Sequence, residues 1–167
     1  MGIVFNVDGE EYVAGAGIGL VRINDAEPIE SICVNLFEGF SFYEEYWADS
    51  MAATEYDPNG GAAGWILQAC LPVASTAIEG AALQLAIWDA IHDGGDGFAA
   101  GRIQSNIYTD SAVLELAAGW VAKSAGQNGP RAYVYAPTAG TAAFQQQLYL
   151  GSPDGISDVP GPVRWRS

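Results

Sequence analysis

The sequence predicts an α+β fold: an antiparallel β-sandwich or barrel with a helical insertion of about three helices. Three observations carry this. Runs rich in β-branched and aromatic residues sit at both ends of the chain, in residues 2–37 and 131–150. The middle, residues 62–125, changes to helical spacing of its apolar positions. Gly, Pro, Asn and Asp clusters punctuate the boundaries. At 167 residues the chain reads as one domain over residues 1–150, and the Gly/Pro/Asp-rich stretch 151–167 reads as a flexible C-terminal tail.

Residues 2–7 and the pair Tyr12-Val13 flank the turn signal Asp8-Gly9, which predicts a hairpin. The glycines from Gly15 to Gly19 lack a following Lys-Ser/Thr and lead into a strand pattern, so a phosphate loop is rejected. Residues 18–23 and 29–37 are the next strands, separated by a turn around Pro28. Alternation puts Cys33 on one face with Ser31 and Asn35, and Ile32, Val34 and Leu36 on the other. Residues 40–47 form an aromatic cluster that suits packing or, alternatively, a sugar platform. Its adjacent Glu44 and Glu45 point to opposite faces of a strand and make no facing glycosidase pair.

A short apolar helix follows over residues 62–70 and stops before Pro72. Thr76 and Glu79 have capping-box spacing for the central helix, which runs to His92-Asp93 and ends at Gly94-Gly95. Asp110 caps a third helix from Ser111 to about Ala125. Residues 131–135 and 144–150 are the closing strands.

The central helix holds the most informative residue. At 100° per residue, Glu79, Ala82, Ala86, Asp89 and Asp93 share one face, and Gln84 lies opposite with Ala77, Ala81 and Trp88. That second face is the one to bury. An unpartnered buried amide costs about 1–3 kcal/mol, so Gln84 must hydrogen-bond, for instance to a strand edge, or take part in chemistry. The small residues Ala77, Gly80 and Ala81 allow another backbone to approach.

The stretch Leu83-Gln-Leu-Ala-Ile-Trp88 resembles the glutamine motif of the bacterial Cys-Gln thioester domains of adhesin type. It is equally similar to a motif in exported proteins that carry a PEP-CTERM sorting tail. Ser31-Ile-Cys-Val-Asn35 resembles the family's cysteine segment, with Ile32 and Asn35 in place of the usual aromatic residue and Asp. The resemblance spans residues 30–95. It implies an internal thioester between Cys33 and Gln84, with Trp88, Ala81 and Gly80 shielding or supporting it. An amine or hydroxyl on a surface protein or polysaccharide would be the target. It also implies an extracellular or cell-surface location and a single covalent capture in place of enzymatic turnover.

Composition narrows the alternatives. A net charge of −14 speaks against nucleic acid and anionic membrane as partners, and no apolar run is long enough to insert in a bilayer. No signal peptide is visible at the start. Lys123 is the only lysine, which limits attack by the protein on its own thioester. Cys33 and Cys70 admit a disulfide, two free thiols, or a Cys33 thioester beside a buried Cys70. Asp89, His92, Asp93 and Asp96 gather near a helix end but offer too few oxygen ligands, so neither a metal nor a cofactor is expected. The lone histidine has no serine or cysteine elbow beside it, which argues against a hydrolase.

One further expectation belongs to another class. The apolar, glycine-rich composition and the strands at 2–7 and 144–150 suit a filament subunit that binds copies of itself by strand exchange, a homopolymer in which the thioester is only a cross-link or is absent. Residues 157–162 faintly resemble the start of a PEP-CTERM tag, without its membrane helix.

Overall fold

Residues 53–131 interrupt a β-barrel, and nearly all of the helical structure lies in that interruption. The computed structural model describes residues 1–23, 27–39, 45–141, 144–151 and 161–166, with residues 23, 45 and 161–166 described by backbone alone.

The chain opens with β1 (Gly2–Val7) and β2 (Glu10–Gly15), paired from Gly2–Gly15 to Val7–Glu10. Asp8 (φ 52°) and Gly9 (φ 85°) both have positive φ, the two-residue turn whose twist matches that of its strands. The expected hairpin is present. β6 (Ile103–Gln104) adds a short third strand against Asn6 and Val7.

The barrel uses β3 (Gly19–Ile23), β4 (Ile29–Cys33), β5 (Glu45–Ala52), β7 (Ala132–Pro137), β8 (Gln147–Leu150) and β9 (Gly161–Arg166). These close in the order β3-β4-β8-β7-β5-β9, every pair antiparallel. Within it Tyr135 stacks on Tyr149 at 4.2 Å, beside buried Val21, Ala48 and Phe144. Within the stretch expected as a tail, residues 161–166 form a strand. Residues 161–166 alternate as Val-Arg-Trp-Arg after Gly-Pro, and their backbone seals the barrel between β3 and β5.

Because β5 and β7 are neighbours in the barrel, the helices between them form an insertion, as the sequence predicts. They are α1 (Ala53–Tyr56), α2 (Gly60–Cys70), α3 (Ala77–Asp93) and α4 (Ser111–Ser124), with α1 a single turn. α2 meets the rim of the barrel so closely that a Cβ on Gly64 would stand 2.6 Å from the Ala132 Cβ and 2.9 Å from the Gly129 carbonyl oxygen.

α3 is capped as its sequence dictates. The Thr76 hydroxyl accepts the Glu79 amide, Glu79 accepts the Thr76 amide, and Gly94 ends the helix in the left-handed conformation. Its burial differs from expectation, because every residue from Gly80 to Ile91 is buried. The sheets, α2 and α4 surround it, so the face carrying Asp89 is inside as well. No helix of the described residues is long and apolar enough to cross a membrane.

One further expectation changes. The strand predicted over residues 29–37 ends at Cys33, because the Asn35 side chain accepts the Phe37 amide at 2.9 Å and turns the chain. Of the strands proposed for exchange, β8 lies between β4 and β7, and β1 pairs with β2 along its length and with β6 at Asn6 and Val7 only. Most of the aromatic cluster, residues 40–44, and most of the faint sorting motif, 157–160, fall outside the described residues.

Candidate functional site

Cys33, at the end of β4, and Gln84, in the second turn of α3, meet in the interior. The Gln84 Nε2 donates to the Cys33 backbone carbonyl at 2.5 Å, and Gln84 is only 1% exposed. The question the sequence posed about this amide is therefore answered by a strand edge. Both residues line one cleft of about 660 Å³. Its walls come from β2, the glycine-rich segment 15–19, residues 36–39 and the residues leading into β8, with α3 contributing Gln84 and Trp88.

The approach allowed by small residues is real. A Cβ placed on Gly80 would lie 3.6 Å from both Gly17 Cα and Ile18 N, so the segment rejected as a phosphate loop packs on the helix and edges the cleft. Ala81 is fully buried beneath. Trp88, one turn beyond Gln84, is buried, stacks on Phe5 at 5.6 Å and lines the same cleft.

The Cys33 thiol donates to the Asn35 carbonyl at 3.1 Å. Burial pushes its pKa far above the ordinary 9.0, against smaller opposing effects from the Trp88 indole and a backbone hydrogen bond at Asn35. At neutral pH the sulfur carries its proton. The indole N–H has no hydrogen-bond partner among the described residues and lies near this sulfur, so it is placed to favour a sulfur anion when one forms.

Cys33 and Cys70 are both free, both buried and not close together, which removes the disulfide alternative. Cys70 ends α2, with burial raising its thiol to about 11 and Lys123 opposing that rise. His92 turns its Nε2 to the Val34 carbonyl at 3.0 Å, anchoring the far end of α3 to the chain just past Cys33.

Two other amides in the cleft could not be placed there from the sequence. Gln147 lies directly across from Cys33 in the β4–β8 ladder, on the same face of the sheet, and is 3% exposed. Its Oε1 accepts from Ser31 Oγ at 3.2 Å. Gln145 donates to the Asn35 carbonyl at 3.0 Å. Alternation along residues 144–150 does put 145 and 147 on one face, but which strand faces them depends on a pairing more than a hundred residues away in sequence.

Compared with family models, with curated proteins and with solved structures, the chain matches none.

Proposed function

We propose that this domain is an exported surface protein that forms an internal Cys33–Gln84 thioester and attaches covalently to a nucleophile on a target surface. The observation that carries the reading is the meeting of two residues 51 positions apart, in a shared cleft, at the two motifs that resemble the thioester family. The chemistry balances simply. The Cys33 sulfur adds to the Gln84 side-chain carbonyl carbon, the C–N bond breaks, and ammonia leaves with the thiol proton. A target amine or hydroxyl later attacks the same carbon, the C–S bond breaks, and the proton passes to the Cys33 sulfur.

Three features of the chain suit this use. The Gln84 amide is fixed at its nitrogen by the Cys33 carbonyl, which restricts where its carbon sits. The Trp88–Phe5 stack keeps water from one side of the cleft. Exposed Val13, Leu20 and Phe37 among the lining residues offer apolar contact to a target surface. Each molecule reacts once, so this is capture and not turnover. Assembly by strand exchange would have to displace strands that are already paired within the chain.

Intact mass of the unreduced protein tests the proposal. Loss of ammonia lowers the mass by about 17 Da. Cys33→Ala should restore the full mass and Cys70→Ala should leave the deficit in place; the reverse pattern overturns the assignment.

A further inference from the structure

A second polar cluster lies at the other end of α3, outside the cleft. Asp89, Asp93 and Asp96 each present a carboxylate oxygen within 4.8 Å of the others. The sequence grouped His92 with them and expected no ion. In the fold His92 turns away to Val34, while the three carboxylates converge.

Part of this arrangement is explained by the loop that follows the helix. Asp93 accepts the amides of Arg102 and Ile103 at 2.8 and 2.6 Å, so it pins the loop back onto the helix end. Gly101, at φ +86°, passes so near that a Cβ would stand 2.8–2.9 Å from the Asp93 and Asp96 carboxylates. Only glycine fits there.

Asp89 is not explained that way. It is 0% exposed, its Oδ2 accepts the Gly97 amide at a long 3.4 Å, and its Oδ1 has no hydrogen-bond partner among the described residues. An ionised carboxylate left so is costly. The two acids on α3 occupy its last two turns, where the helix dipole disfavours negative charge and favours a cation. The Arg102 guanidinium is committed to Asp8 at 2.7 Å. Three acids therefore crowd together without a counter-charge bonded to them among the described residues.

We infer that Asp89, Asp93 and Asp96 form a binding site for a hard divalent cation, calcium by preference, which ties the end of α3 to the loop 94–103. All three side chains offer oxygen, the donor calcium takes, and carbonyls of a glycine-rich loop are the usual supplement. Through Ile103 the loop continues into β6 and so to β1. The ion thus locks the helix that carries Gln84 against the first sheet. The site stands whether or not the thioester forms.

The test is thermal unfolding of the purified chain in about 10 mM calcium chloride and in EDTA. With an affinity in the range of extracellular calcium modules, Tm should rise by about 5 °C in calcium. Asp96→Asn, an exposed position whose neutralisation relieves repulsion in the ion-free cluster, should match or exceed the wild-type EDTA value and lose most of the rise in calcium. Asp89→Asn should lose it too. An unchanged wild-type Tm overturns the inference, as does an equal rise in wild type and Asp96→Asn, which would put the ions elsewhere on the acidic surface.

Discussion

The side-chain amide of Gln84 donates to the backbone carbonyl of Cys33, joining the middle of the buried helix to the end of a barrel strand. In the thioester-free protein that bond is structural; thioester formation would expel its nitrogen as ammonia. Gln84→Ala leaves a buried carbonyl without its donor and should lower the unfolding free energy by about 1–3 kcal/mol in urea titration. A loss well under this range would mean that water or another amide takes over the carbonyl.

Trp88 should be costlier to remove. It is 1% exposed and stacked on Phe5, so Trp88→Ala should cost about 3–5 kcal/mol by the same measurement. Trp88→Phe keeps much of the packing while deleting the N–H near the Cys33 sulfur. It should separate the two contributions, with a small loss of stability and slower attack of the thiol by alkylating agents at alkaline pH.

Two glycines in neighbouring helices should respond in opposite ways to alanine. Gly80→Ala adds a Cβ at ordinary contact distance from Gly17 and Ile18 and should be neutral or stabilise by up to about 1 kcal/mol. Gly64→Ala drives the same atom to 2.6 Å from Ala132 and should destabilise by about 1–3 kcal/mol. Tm shifts of the two variants, measured side by side, decide this.

Alkaline stability should depend on the thiols. Burial raises both Cys33 and Cys70 above their ordinary value of 9.0, so the folded state holds protons that the unfolded chain releases. The stability they contribute is present below about pH 9 and is lost as pH rises past it. In the reduced, thioester-free protein, urea midpoints should fall between about pH 8 and 9.5, and fall less in the Cys33→Ala/Cys70→Ala double variant. Tyr56, also raised by burial to about 12, adds its loss above its ordinary 10.0 and is common to both proteins.

The local devices of this fold were readable from the chain. Thr76, Glu79 and Gly94 bound α3, Asp110 caps α4 through its carboxylate, and Asp8-Gly9 turns the first hairpin, because each acts through neighbours only a few residues away. The β-helix-β order followed from the change of period. What stayed hidden depends on distant pairing. The burial of Asp89 requires sheets and helices on every side of α3, and period alone assigned its face to solvent. The position of Gln147 opposite Cys33 is set by strand register, and the strand at 161–166 is masked by the Gly/Pro-rich stretch before it. At the site, Cys33, Gln84 and Trp88 were legible as types in a pattern, whereas the competing amide was not.

That competing amide makes residue-level chemistry the decisive measurement. Methylamine should open the thioester, leaving an N-methyl amide about 14 Da heavier than glutamine at Gln84 and a Cys33 thiol that alkylates after unfolding. Peptide mapping before and after treatment reads both at once. The account predicts methylamine on Gln84 alone, lost in Cys33→Ala; incorporation at Gln147, or none at all with Cys33 already free beforehand, would contradict it.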